Sequence, residues 1–150
     1  MSGLLHFEDF AAGQVHALGP HHVTAEAIIA FAREFDPQPF HLDDEAAKKS
    51  LFSGLSASGW HTAAITMNLL VTSGPPFAWG VPGAGGEILW PRPVRPGDVL
   101  HVRGEIVDIR PSRSRPDRGI VFIRNETCNQ NDEIVQVFTA RVIVPTRQAG

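Results

Sequence analysis

The sequence predicts an α+β fold: a single domain over residues 1–150 in which an antiparallel sheet wraps a buried central helix at about residues 59–73. Three observations carry that reading. Segment 59–73 holds no charged residue and is apolar almost all round, the composition of a helix without a wet face. The second half of the chain contains runs rich in β-branched residues separated by turn residues, which read as strands. Ahead of both lies Asp36-Pro37-Gln38-Pro39-Phe40-His41, an acid and an imidazole five residues apart with two prolines between. Proline fixes φ and has no N–H, so this segment is a stiff, bent connection rather than a helix interior or a central strand. Groups at the two ends of such a bend can be aimed at one small volume, as proton transfer requires.

The composition bounds the rest. A chain of 150 residues, 43% hydrophobic and 19% charged, is long and apolar enough for one globular core. A net charge of −3 argues against a nucleic-acid partner. Cys128 is the only cysteine, which excludes an internal disulfide and fits a reducing compartment. The first residues turn acidic at Glu8 and Asp9, too early for a signal peptide. No apolar run approaches the ~20 residues of a membrane span. A soluble, cytoplasmic protein without a membrane partner is expected.

Taken in order, residues 1–13 read as an irregular lead-in. Residues 14–23 hold a first strand, broken by Gly19-Pro20. Thr24 is the N-cap of a helix, with Glu26 in its first turn. Ile28, Phe31, Ala32 and Phe35 follow at amphipathic spacing. Pro37 disfavours helix at Asp36, so Asp36 ends the helix, where the dipole works to raise a carboxylate pKa. Asp43 caps a short exposed helix running to Ser50, carrying the i, i+4 pairs Asp44/Lys48 and Glu45/Lys49.

In the charge-free helix, Trp60, Ala63, Ala64, Met67 and Val71 form one stripe, while Ile65, Leu69 and Leu70 are apolar elsewhere. Gly74-Pro75-Pro76 ends it. A Gly/Pro-rich loop covers 74–86. Residues 87–90 form a short strand, placed at an edge by Pro91 and Pro93. Pro96-Gly97-Asp98 is a turn, and Leu100, Val102 and Ile106 mark one face of the next strand. Residues 120–128 and 134–144 are strands joined by a hairpin loop at 129–132.

This arrangement resembles the hot-dog fold, and within it the MaoC-like dehydratase or (R)-specific enoyl-CoA hydratase family. The motif that carries the resemblance is the helix end and bend Phe31-Ala32-Arg33-Glu34-Phe35-Asp36-Pro37-Gln38-Pro39-Phe40-His41-Leu42-Asp43. Ala46-Ala47-Lys48-Lys49-Ser50-Leu51-Phe52 follows it, then Ala57-Ser58-Gly59-Trp60. The opening Phe7-Glu8-Asp9-Phe10-Ala11-Ala12-Gly13-Gln14 and the turn Pro96-Gly97-Asp98 are also similar to the family, so the resemblance covers nearly the whole chain. It implies that Asp36 and His41 are the catalytic pair and that the N–H of Gly59 faces a thioester oxygen. It implies hydration of trans-2-enoyl-CoA to (R)-3-hydroxyacyl-CoA and the reverse dehydration, with no cofactor or metal, in a homodimer or a multiple of dimers.

The chain departs from the family pattern in four places. Phe35 stands where the family has glycine, and Gln38 where it has asparagine. Ser58 replaces a histidine, and Trp60 and His61 follow Gly59. These changes bear on the size and shape of the substrate, and Phe35, Phe40, Ser58, Trp60 and His61 are the candidates to line its site.

Plainer roles compete for several residues. Ser58 is an N-cap, since no nucleophile elbow surrounds it. Trp60 and Met67 are most simply core, His61 is a satisfied buried histidine, and Cys128 is an inert strand residue. His21-His22 has no partner at metal-ligand spacing. The arginines at 110, 113, 115 and 118 form a solvated hairpin tip; contact with coenzyme A phosphates is the alternative. Two other functions fit the same fold: a thioesterase using a carboxylate to activate water, and a non-catalytic acyl-thioester-binding module.

Overall fold

In the computed structural model, which describes residues 3–148, five antiparallel strands form one sheet in the order β1-β3-β4-β5-β2. They are β1 (Val15–His22), β2 (Gly83–Leu89), β3 (Val99–Pro111), β4 (Arg118–Cys128) and β5 (Ile134–Pro145). The helices are α1 (Ala25–Phe35), α2 (Pro39–Leu42), α3 (Asp44–Lys48) and α4 (Gly59–Ser73). The α+β reading and the central helix at 59–73 therefore hold.

Local chemistry explains the boundaries. The Thr24 hydroxyl accepts from the Ala27 N–H at 3.1 Å and starts α1. Pro39 opens α2 at its first position, where its missing N–H costs nothing. The second half of the proline-bearing bend is thus a helical turn, and His41 lies in it. Asp43 caps α3, but Lys48 takes both acids, Asp44 at 3.4 Å and Glu45 at 3.1 Å. The expected Glu45/Lys49 pair is replaced by this i, i+3 contact. β1 runs through Gly19-Pro20 with a register shift between Leu18 and His21 instead of breaking. β2 begins at Gly83, inside the expected loop, and is an edge strand as expected.

The lead-in is less irregular than its sequence suggests; Met1 and Ser2 lie outside the described residues. Phe7–Asp9 makes a 3₁₀ turn, and Phe10 stacks on Phe77 with ring centroids 4.9 Å apart. These aromatics cover one end of the sheet, over Ile106, Val121, Ile123, Val142 and Val144. The other end packs against α1 and α4 through Leu18, Ile28, Ile65, Leu69, Leu100, Val102 and Val135. Each fully buried side chain of this kind contributes about 1.5–3 kcal/mol of transfer free energy.

α4 is buried on one face only. His61, Thr62, Ile65, Thr66, Leu69 and Leu70 point inward. Trp60, Met67 and Val71 are 59%, 40% and 62% exposed. The core positions expected for Trp60 and Met67 are therefore corrected: their stripe faces away from the sheet.

Under α4 the inner face of the sheet turns polar. Thr66 Oγ1 lies 2.7 Å from Thr127 Oγ1 and accepts from Gln136 Nε2 at 3.0 Å. Gln136 Oε1 in turn accepts from Trp90 Nε1 at 2.9 Å. Thr66, Thr127 and Gln136 are almost wholly removed from solvent, so these bonds are the groups' replacement for water. The substitution Thr66→Val keeps the shape and deletes the hub. It is expected to cost about 1–3 kcal/mol in urea denaturation at fixed protein concentration, with an unchanged m-value. A loss under about 0.5 kcal/mol, the range of neutral surface changes, would show that the network does not contribute.

Candidate active site

α1 ends where Pro37 forbids another helical residue, and Asp36 is its C-cap. The chain bends, Pro39 starts α2, and His41 comes back to Asp36 with Nε2 3.4 Å from Oδ2. His41 is 4% exposed. Its ring meets Phe40 edge-on at 4.6 Å and lies 5.9 Å from Phe52. Nδ1 is 2.6 Å from the Ser56 carbonyl oxygen. A carbonyl only accepts, so Nδ1 carries the proton, and in the neutral ring Nε2 is left with its lone pair towards Asp36.

Ser58 joins the pair to the start of α4. Its hydroxyl donates to Asp36 Oδ2 at 2.7 Å and accepts from the Trp60 N–H at 3.3 Å. The N-cap role read from sequence is therefore present, together with a bond to the acid. Gln38 Nε2 donates to Asp36 Oδ1 at 2.6 Å. Partial burial works to raise the Asp36 pKa, but the bonds from Ser58 and Gln38 and the adjacent His41 outweigh it, and the net shift is downward. This reverses the shift expected from the end of α1. The carboxylate reaches, through Ser58, the N-terminus of α4, where the dipole favours an anion.

Beside the pair is a cavity of about 440 Å³ whose walls include His41, Phe52, Gly59, Thr62, Trp90 and Val135. That volume is in the range of small-molecule sites. The Gly59 N–H makes no hydrogen bond among the described residues. A Cβ on Gly59 would lie 2.5 Å from the Trp90 indole, so glycine is needed here because Trp90 occupies that space.

The other sequence candidates divide. Phe40 packs on His41. Phe35 is 64% exposed and sits 5.1 Å from Phe31. His61 stacks face to face on Phe31 at 4.7 Å. Burial, with His21 adding to it, lowers the His61 pKa. Its Nδ1 has no partner among the described residues, so it is buried as expected but not satisfied. Trp60 meets Trp90 edge-on at 5.2 Å, outside the cavity wall. The arginine-rich tip joins β3 and β4, at the far end of β3 from the Pro96-Gly97-Asp98 turn. There Arg110 pairs with Asp108 and Arg118 with Asp117. Burial raises the Cys128 pKa. No group of three His, Cys, Asp or Glu among the described residues is arranged to hold a metal ion, and no helix there is long and apolar enough to cross a membrane.

Sequence reasoning missed Gln38 as a partner of Asp36, the Ser56 carbonyl and Trp90. A glutamine two residues after the acid was a usable signal. A main-chain carbonyl leaves none, and Trp90 reaches Gly59 only through tertiary packing.

Comparison with known proteins gives the family and the fold. The family model described as MaoC like domain matches residues 9–123. The crystal structure of the MaoC-like dehydratase from Rhodospirillum rubrum is 60% identical, superposes with a TM-score of 0.93, and the match covers 95% of this chain and 98% of that one. The fold is accordingly the hot-dog fold. Uncharacterized protein YdeM of Bacillus subtilis is 36% identical over 91% of this chain and 95% of its own. The 3-hydroxybutyryl-CoA dehydratase of Methylorubrum extorquens is 28% identical over 97% and 87%.

The lowered Asp36 pKa has a consequence for stability. A carboxylate whose pKa is lower folded than unfolded stabilises the fold above its unfolded pKa. That contribution is lost as pH falls through the folded value. Ser58→Ala removes one of the two donors. The Asp36 pKa is expected to rise towards the ordinary carboxylate value, read by NMR titration of its side-chain carbon, and this part of the acid-dependent loss of stability should shrink. An unchanged titration would show that Ser58 does not hold the anion.

Proposed function

The chain belongs to the MaoC-like family, and within it we propose that it interconverts trans-2-enoyl-CoA and (R)-3-hydroxyacyl-CoA thioesters by acid–base catalysis at Asp36 and His41. The observation that carries this reading is the facing of Asp36 Oδ2 and His41 Nε2 at 3.4 Å, two acceptors when the ring is neutral and Nδ1 carries its proton. Neither can donate to the other until a proton arrives. A water placed against both donates to them, and its oxygen is then free to attack.

In hydration the water oxygen bonds to Cβ and its proton passes to the pair. The π electrons of the Cα–Cβ bond move into the thioester, where charge gathers on the carbonyl oxygen. The unengaged Gly59 N–H at the start of α4 is the donor for that oxygen. The pair then returns a proton to Cα. A proton held this way belongs to both groups, which titrate as a unit. Ser58 and Gln38 keep Asp36 ionised, and that charge stabilises the imidazolium formed when Nε2 takes the proton. Dehydration follows the same path in reverse. The relative named as a 3-hydroxybutyryl-CoA dehydratase supports a CoA thioester and favours crotonyl-CoA as the first substrate to try.

Asp36→Asn and His41→Ala are each expected to lower kcat by about 10²–10⁴-fold, the usual worth of a positioned acid or base. The assay is loss of the conjugated enoyl-thioester absorbance. A folded protein that hydrates no enoyl-CoA of any chain length would end this reading, and release of free thiol from saturated acyl-CoA would mark a thioesterase instead.

The active form in this reading is a homodimer. Trp60, Met67 and Val71 on the outer face of α4, with Leu89 and Trp90 at the β2 edge, are all at least 40% exposed. A large exposed apolar patch beside an unpaired strand edge favours association, and a two-fold interface would use the same patch on both copies. Met67→Glu places a charge in that face and is expected to convert the dimer to monomer in sedimentation velocity at micromolar concentration. A wild-type protein that is already monomeric there would refute the assembly.

A further inference from the structure

We infer that Arg95 is a positioning residue for His41: its guanidinium shapes the 52–56 turn so that the Ser56 carbonyl holds the imidazole in its Nδ1–H tautomer. The inference rests on the acid–imidazole reading above, and its test has an arm that does not use turnover.

Arg95 is half-buried and bonds almost entirely to main chain. Nη1 donates to the Gly54 carbonyl at 2.8 Å and to Ser56 Oγ at 3.0 Å, with the Leu55 carbonyl at 3.4 Å. Nη2 donates to the Phe52 carbonyl. No carboxylate lies within ion-pair distance among the described residues. Arg95 helps to lower the pKa of Asp44, which accepts from the Leu55 N–H at 3.0 Å.

The turn needs such a hub. Ser53 has φ 58, a conformation uncommon outside glycine, and the carbonyls around it have no strand or helix to bond to. Buried main-chain acceptors must find donors, and one guanidinium offers five in a fixed fork.

Ser56 is the point of delivery. Its N–H donates to the Phe40 carbonyl at 3.2 Å, and its hydroxyl donates to the Gly54 carbonyl at 3.2 Å while accepting from Arg95. Its own carbonyl is 2.6 Å from His41 Nδ1. Arg95 is itself fixed by the Pro96-Gly97-Asp98 turn. Its N–H donates to Asp98 Oδ2 at 2.9 Å, and Gln130 Nε2 donates to Asp98 Oδ1 at 3.1 Å. The path from this turn to the reacting nitrogen is Asp98, Arg95, the 52–56 turn, the Ser56 carbonyl and His41. If the carbonyl drifts, Nδ1 loses its acceptor and the proton can move to Nε2, which then has no lone pair for water.

The test is Arg95→Lys, which keeps the charge and loses the fork. The His41 ring nitrogens are read by ¹⁵N NMR at neutral pH, assigned by comparison with His41→Ala. Wild type should show Nδ1–H. The variant should show a mixture or Nε2–H, with kcat for enoyl-CoA hydration down at least about 10-fold and KM within about 3-fold. Should Arg95→Lys not fold, Ser56→Ala decides, since it removes one of the guanidinium's acceptors and leaves the backbone intact. It should move the tautomer the same way and lower kcat about 2–5-fold, less than the loss of a whole acid or base. A folded variant that keeps the wild-type tautomer overturns the inference, as does a shifted tautomer with unchanged kcat. If wild type hydrates no enoyl-CoA, the functional reading fails while the tautomer measurement still decides the role of Arg95.

Discussion

The Ser58 hydroxyl is the joint on which the site depends. It is at once the N-cap of α4 and a donor to Asp36 at the end of α1. One oxygen therefore fixes the distance between two helices that meet the sheet separately. A cap is worth about 1 kcal/mol, and a bond to a charged acceptor about 1.5–3 kcal/mol. Those magnitudes are small beside the apolar core, so the joint does not hold the fold together. It decides where a carboxylate sits relative to an imidazole, which the core alone leaves open.

A second polar line works from the other side of α4. Thr66, Thr127 and Gln136 bury hydrogen-bonding groups where the sheet could have been wholly apolar, and the line ends on the Trp90 indole. A satisfied buried network specifies one arrangement where an apolar contact tolerates several. Here the arrangement specified is the indole against Gly59. Gly59 is thus placed from two directions: by its neighbour Ser58 along the chain and by Trp90 across the cavity. The glycine is a consequence of the tryptophan, and the free N–H is a consequence of being the first residue of a helix.

Much of this was legible in the residues. The i, i+3, i+4, i+7 spacing from Ile28, the cap at Thr24 and the stop at Pro37 place Asp36 at a helix end without any tertiary knowledge. Two prolines make the bend stiff enough for His41 to return. The β-branched strands and the charge-free helix imply the sheet and its partner. What could not be read is what depends on contacts distant in sequence. The direction of the Asp36 shift follows from Ser58, more than 20 residues on, together with Gln38 and His41 nearby, and the local helix end suggested the opposite sign. Trp60 and Met67 are apolar like core residues, and only the sheet's position shows that their face points outward. Gly/Pro-rich segments hid the start of β2 because a strand that lies close against its neighbour uses glycine for approach: a Cβ at Gly86 would meet the Thr139 carbonyl at 2.3 Å.

The absence of charge along α4 has an electrical meaning as well as a packing one. Lys or Arg in its first turn would compete for Asp36, and Asp or Glu there would repel it. With neither, the field at the helix start comes from the helix dipole, the Gly59 N–H and the Ser58 hydroxyl, which donates to the carboxylate. The inward face of α4 packs on the core, and a dipole acts more strongly in such surroundings than in water. The same sequence property that made the helix look buried also keeps α4 from adding a charge beside the Asp36–Ser58 contact. A charge placed at Ala63 or Ala64, one turn from Gly59, would be felt at Asp36 without touching it.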